Sequence, residues 1–205
     1  MPDLIARPAL AVDVAFRRCL DLSRRGGRIV TMTDLGLPFR ISCRGLVFDD
    51  DERVLLAQHQ TTEGAVWVGP GGGVEGNETL VEALARELLE ETGLSLIDPT
   101  APALVWTQAH RFPEMQPHGF SGVLGHYFVV PLRAFTRQTG SPPDAHTHSF
   151  EEGVTDMRWW SLDEVEAANQ ESVLFSPRAF PRLMGHLLNP SQLEELQRVP
   201  LQLGL

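Results

Sequence analysis

The sequence contains no lysine; all 17 of its basic residues are arginine. That excludes a lysine nucleophile, a Schiff-base lysine and the lysine of a Walker phosphate loop. Cysteine is nearly as scarce. Cys19 and Cys43 are the two present, too few for a disulfide framework or a cysteine-held zinc site. No apolar run approaches the roughly 20 residues of a membrane-spanning helix. The N-terminal stretch "MPDLIARPALAVDVAFRRCLDL" is broken by Asp13 and followed by no small-residue cleavage site, so it does not read as a secretory signal. The expected compartment is the cytoplasm. Positive charge is also in short supply: 27 acidic residues against 17 basic ones leave a net charge of −10. This disfavours association with a nucleic-acid backbone. A nucleic-acid polymer and a membrane are therefore not expected as partners, whereas a small phosphate-bearing ligand held through a cation is compatible, and a homodimer is left open.

What is present is ordinary for a globular protein: 205 residues, 42% hydrophobic and 21% charged, one domain with appendages. Residues 12–24 read as a short amphipathic helix ended by Gly26 and Gly27, and residues 1–36 as an N-terminal extension. The main domain is expected over 37–170. "FRISCRGLVFD" and "RVLLAQH" flank the acidic turn Asp49-Asp50-Asp51 and predict a hairpin. "AVWVG" predicts a third strand, "PGGGVEGNE" a loop, and "TLVEALARELLEETG" a helix closed by Gly93. "PALVWTQAHRF", "GHYFVVPLRAF" and "VTDMRWWSL" predict further strands, with a loop over 137–153. Ser161 with Glu164, and Ser191 with Glu194, have capping-box spacing. Residues 171–205 are expected to be a helical segment packed on the domain, with breaks at Pro177, Pro181 and Pro190. Strands, a helix, strands and helices in that order predict an α/β or α+β domain with a mixed sheet.

The helix over 79–93 gathers Glu87, Glu90 and Glu91 near its C-terminal end. At about 100° per residue, Glu87 and Glu91 border the apolar stripe of Leu80, Leu84 and Leu88. Glu82 and Arg86 fall on the face that meets water. Like charges at i,i+4 cost a helix about 0.2–0.5 kcal/mol per pair, and acids near a C-terminus oppose the macrodipole. Breaking local rules in this way is expected at functional sites. A divalent cation resolves the conflict, because Mg²⁺ takes carboxylate oxygens together with water and substrate phosphates. Arg86 is placed to hold a neighbouring carboxylate bidentately. The preceding glycines permit close backbone approach and feed a helix N-terminus, which favours anions.

Those residues carry a resemblance. "GGVEGNETLVEALARELLEETGL", Gly72 to Leu94, resembles the Nudix box, G-x5-E-x7-R-E-U-x-E-E-x-G-U, with U a bulky apolar residue. Gly72, Glu78, Arg86, Glu87, Leu88, Glu90, Glu91, Gly93 and Leu94 fill every fixed position. The resemblance implies an α/β/α sandwich around a mixed sheet and hydrolysis of a nucleoside diphosphate linked to another group. It implies Mg²⁺ (or Mn²⁺) held by Glu87 and Glu91, with Glu90 and the Gly72 carbonyl as further ligands. Arg86 would orient a box carboxylate and Glu78 would support it. The general base varies within the family; a glutamate of the box (Glu87 or Glu90), or Glu151 or Glu152 from the later loop, are the candidates. ADP-ribose, sugar nucleotides and non-standard or oxidised nucleoside triphosphates are the substrates left open.

Outside the box, Arg44 and Arg111 are candidates to hold a phosphate, and Trp67 to line a base pocket, although a strand tryptophan more often belongs to a core. Trp159 and Trp160 are expected on opposite faces of the sheet. His146-x-His148 has metal-ligand spacing without a third ligand nearby. Two other functions share the fold: a non-catalytic nucleotide sensor, which the intact glutamates disfavour, and an isomerase, which would need a pocket cysteine such as Cys43.

Overall fold

The computed structural model describes residues 36–61, 64–137 and 154–204. The predicted helix over 12–24, His146, His148, Glu151 and Glu152 lie outside the described residues. The strands are β1 (Phe39–Phe48), β2 (Val54–Thr61), β3 (Gly64–Val68), β4 (Leu94–Leu96), β5 (Ala103–Arg111), β6 (Gly122–Pro131), β7 (Phe135–Arg137), β8 (Val154–Trp160), β9 (Leu174–Phe175) and β10 (Leu201–Leu203). The helices are α1 (Leu80–Thr92), α2 (Leu162–Gln170), α3 (Phe180–Leu188) and α4 (Pro190–Arg198).

Eight strands form a mixed sheet in the order β10-β5-β6-β1-β2-β3-β9, with β8 paired to the other edge of β2; β4 and β7 form a separate two-stranded sheet. β1 runs parallel to β6 over its whole length, Phe39 opposite Gly122 through Phe48 opposite Pro131. β1 and β2 meet only at Phe48 and Val54 and then diverge. The edge of β1 so vacated is taken by the glycine loop. Cys43 and Gly45 donate their N–H groups to Gly72 and Pro70 (2.9 and 2.8 Å), and Val74 donates to Ile41 (3.0 Å).

Local sequence explains the element ends. Asp49 closes the first hairpin by accepting from the Asp51 and Arg53 N–H groups. α1 starts on a full capping box in which Thr79 and Glu82 satisfy each other's backbone N–H groups, and it stops at Gly93, whose φ of 69° is left-handed. α2 starts on the box read from the sequence, Ser161 with Glu164. The second expected box does not form. Pro190 occupies the first turn of α4, so Asn189 is the cap and accepts from Gln192 N–H, while Ser191 lies inside the helix. Proline fits there because the first helical N–H groups have no partner within the helix.

The core lies on both faces of the sheet, giving the expected three layers. On one face Cys43, Val47, Leu55, Phe128 and Val130 pack against Ala83, Leu84 and Leu88 of α1. On the other, Leu46, Leu56, Trp106 and Tyr127 pack against Val165 of α2, Phe180, Leu183, Met184 and Leu187 of α3, and Leu196 of α4. Each large apolar side chain buried there contributes about 1.5–3 kcal/mol. Trp160 joins this second layer and Trp159 the first, one on each side as alternation requires. Residues 171–204 therefore share the core of the sheet, and β10 extends it by pairing parallel to β5.

Candidate active site

The glycine loop is clamped between β1 and α1. Gly71 has a φ of 136°, a conformation open to glycine, and donates its N–H to Glu91 Oε2 at 2.8 Å. At Gly72 a Cβ would lie 2.5–2.6 Å from the Glu87 carboxylate, so any side chain there would displace that carboxylate. Glu87 and Glu91 are 5% and 4% exposed, whereas Glu90, from the same helix, is open to water. The border position of Glu87 and Glu91 on the helical wheel thus becomes burial beneath the loop.

Arg86 organises the remaining acids. Its Nε and Nη2 donate to the two oxygens of Glu78 at 2.7 and 3.0 Å. Nη2 also donates to the Gly73 carbonyl at 2.9 Å. Nη1 donates to Glu87 at 2.9 Å and to Glu90 at 3.2 Å. All five donors of the guanidinium are used. Glu78 accepts in addition from the Glu75 N–H at 3.0 Å, and the Arg86 hydrogen bonds hold its carboxyl below the usual range. Glu78, Arg86, Glu87, Glu90, Gly71, Gly72, Gly73 and Glu91 are therefore one connected unit.

One guanidinium among three carboxylates of α1 leaves the cluster acidic. Among the described residues no group of three or more His, Cys, Asp or Glu side chains is arranged to hold a metal ion. Mg²⁺ does not require one, since it usually binds one or two carboxylates and completes its shell with water and substrate phosphate. Glu87 and Glu91, buried at a glycine loop, fit that donor set. The Gly72 carbonyl accepts from Cys43 N–H and retains a second lone pair.

Cys43 lies fully buried behind the loop, its Sγ 3.7 Å from the Gly72 carbonyl. Burial, reinforced by the charge of Glu87, pushes its thiol up to about 12, so it is no thiolate at neutral pH. Arg44 lies on the opposite face of β1 and makes a long contact, 3.5 Å, to the Gly69 carbonyl. Arg44 also adds to the burial that holds the neighbouring His59 down at about 4. Trp67 lies in the core, 5% exposed and edge-on to Trp160 at 4.9 Å between centroids. Arg111 ends β5 on the exposed rim opposite Gly122.

Sequence reasoning missed two features. The Thr79–Glu82 capping box holds the start of the acidic helix, and its T-x-x-E spacing was available as a signal. Arg40, exposed on β1, lies against Gly73, where a Cβ would collide with its guanidinium. Its signal was the alternation of Arg40, Ser42 and Arg44 along one face of a strand.

Comparison with known proteins agrees with this geometry. A family model described as NUDIX domain matches residues 38–183. An RNA pyrophosphohydrolase of Rickettsia bellii is 27% identical over 135 residues, covering 64% of this chain and 80% of that protein. An 8-oxo-dGTP diphosphatase of Proteus vulgaris is 43% identical over 72 residues, 34% of this chain and 62% of that protein. A NUDIX hydrolase structure from Nitrosomonas europaea superposes with a TM-score of 0.51 at 20% identity, over 72% of this chain and 88% of that one; it supports the fold alone. No described helix is long and apolar enough to cross a membrane.

Proposed function

This chain belongs to the NUDIX family, and from that premise we propose that it is a divalent-metal-dependent pyrophosphohydrolase of a nucleotide-derived diphosphate. The observation that carries the reading is the burial of Glu87 and Glu91 against the glycine loop, in a network where Arg86 is shared among Glu78, Glu87 and Glu90.

Glu87 and Glu91 would hold Mg²⁺ or Mn²⁺, with Glu90 and the Gly72 carbonyl as further ligands. Such an ion, when bound, neutralises diphosphate oxygens and lowers the pKa of a coordinated water. Arg86 and Glu78 keep the carboxylates oriented, which is the positioning that phosphoryl transfer demands. Where Glu90 does not ligate the ion it would serve instead as the base, since it is exposed, held by Arg86 at 3.2 Å, and able to take a proton from the attacking water. Glu152 is the candidate for the same task from outside the described residues. The balance is simple: one bond forms between water oxygen and phosphorus, one bridging P–O bond breaks, and one proton leaves the water. Arg44, beside the loop at Gly69, would contact a phosphate. The substrates in question are ADP-ribose and sugar nucleotides, non-standard or oxidised nucleoside triphosphates and, because one relative is named an RNA pyrophosphohydrolase, a triphosphorylated RNA end.

The test is hydrolysis of a panel of these compounds with Mg²⁺ or Mn²⁺, products identified by chromatography, with Glu87→Gln and Glu91→Gln run alongside. Cleavage by the wild type and its loss in both variants is expected. Tight binding without cleavage would instead favour a nucleotide sensor, and full activity in both variants would overturn the ligand assignment.

A further inference from the structure

The sheet has two faces beside the glycine loop, and the acidic network occupies one of them. At Gly72 the side-chain direction meets the Glu87 carboxylate on the α1 side; at Gly73, bridged to Ser42, it meets the Arg40 guanidinium on the other. Arg40 is exposed and, unlike Arg86, has no hydrogen bond or ion pair among the described residues. Residues opposite each other on neighbouring strands point to the same side, so the register carries this second face across the sheet. Ser42 pairs with Gly125, and Gly125 with Gln108. Gln108 therefore stands on the arginine face, three strand spacings from Gly73, about 14 Å. Ser42 and Gly125 are buried, so a ligand on this face meets the side chains that stand over them.

Tyr127 leans along β6 over Gly125, where an added Cβ would lie 3.1 Å from its ring. Its hydroxyl donates to Gln108 Oε1 at 2.9 Å. Ser176, just after β9, donates to the same oxygen at 3.3 Å. A carbonyl oxygen has two lone pairs, and here both are occupied. The amide is thereby held in one orientation, with its nitrogen outward. Among the described residues no acceptor meets Gln108 Nε2, and the atom reaches the surface. Gln108 thus presents two N–H donors and no open acceptor. Arg44 joins this group to the loop. It pairs with Tyr127 in register, acts on the Tyr127 hydroxyl through its charge, and contacts the Gly69 carbonyl at 3.5 Å.

We infer that Gln108, oriented by Tyr127 and Ser176, determines base specificity, favouring a nucleobase whose facing edge carries a carbonyl oxygen over one that carries an amino group. The inference rests on the nucleotide chemistry proposed for the loop. α1 covers one face of the sheet, so a nucleoside attached to a diphosphate at the loop lies on the other. An unrestrained amide serves both kinds of base, donating through nitrogen and accepting through oxygen. With its oxygen occupied, Gln108 can only donate. Guanine O6 and uracil or thymine O4 accept, whereas the amino groups of adenine and cytosine donate and would set N–H against N–H. Gln108 is the residue that touches the base; Tyr127 and Ser176 are positioning residues.

The experiment measures kcat/KM on two matched pairs, dGTP with dATP and GDP-glucose with ADP-glucose, so that the phosphate chain is constant within each pair. Calorimetric binding of non-hydrolysable dGTP and dATP analogues gives the same ratio without turnover. Wild type should prefer the guanine member about tenfold, the scale of one base contact. Gln108→Glu keeps both hydroxyl partners but offers oxygen in place of the N–H donors, and should abolish or reverse the preference. Tyr127→Phe removes one of the two anchors of the amide and should reduce it. A purely structural role would lower both members of a pair equally and leave the ratio where it was. Equal use of both bases by wild type, or an unchanged ratio in Gln108→Glu and Tyr127→Phe, would overturn the inference. Cleavage of none of the four compounds would count against the pyrophosphohydrolase reading. The binding ratio then decides base specificity alone: a guanine preference lost in Gln108→Glu upholds it, and no preference in wild type overturns it.

Discussion

Two helices of this protein begin alike and end differently. α1 and α2 both start on a capping box, Thr79 with Glu82 and Ser161 with Glu164, and neither has a basic residue in its last turn. α2 keeps Glu166 and Glu171 in water and buries only Val165. α1 buries Glu87 and Glu91 and anchors the second to the backbone of Gly71. A carboxylate late in a helix is therefore no sign of function by itself. What distinguishes α1 is the partner packed over it, a loop whose Gly71, Gly72 and Gly73 carry no side chains.

The sharpest way to break the comparison is to neutralise one glutamate in each helix. Glu87→Gln should lower hydrolysis on the order of 10²–10³-fold, the scale of losing one preorganised charge contact, while Glu166→Gln should leave the rate unchanged in the same assay. Equal effects would mean that burial of the α1 acids has no catalytic meaning. Arg86→Ala should be next. Losing the group that orients the carboxylates should cost about 10–100-fold in activity or metal affinity, read by titration with Mn²⁺. It should also remove about 1–3 kcal/mol of stability, because several partners lose their donor together.

The two caps should be indistinguishable. Thr79→Ala and Ser161→Ala should each cost about 1 kcal/mol in urea denaturation, and a markedly larger loss at Thr79 would mean that the network depends on the cap.

Acid provides a finer test. Arg86 holds the Glu78 carboxyl below its ordinary value. A depressed carboxyl contributes stability that is complete above the unfolded value, about 4, and is lost as pH falls through the folded one. Wild-type melting temperature should therefore drop below about pH 4, and Arg86→Ala should lose less over that range. The smallest effect concerns Cys43. Buried, with its thiol pushed up to about 12, it should escape alkylation at pH 8 in the native protein and react after denaturation, as peptide mass spectrometry would show.

Much of this was legible from residue spacing because the relevant contacts are local. Thirteen residues of α1, together with the Gly93 stop, are dictated by the capping spacing, the apolar stripe and the glycine. Glu87, Glu90 and Glu91 share a face because a helix places i, i+3 and i+4 together. Trp67 was harder. Alternation put it on a strand, but only the packing of Trp160 edge-on against it, with Phe175 against Trp160 in turn, distinguishes a core tryptophan from a ligand-facing one. Ser191 shows the limit of a motif: with Pro190 in the first turn the cap lies two residues earlier, at Asn189, and the S-x-x-E spacing lost its meaning.

Sequence by itself determined the acidic helix, the loop that precedes it and the family to which the chain belongs, since all three reside in one short stretch whose geometry follows from backbone periodicity. Tertiary structure decided which charges are spent. Only the divergence of β2 from β1 opened the strand edge that the glycines occupy. Only that docking put Arg86 and Arg40 on opposite sides of Gly73, one saturated and one not. Hydrogen-bond satisfaction depends on neighbours distant in the chain, and no spacing rule encodes it.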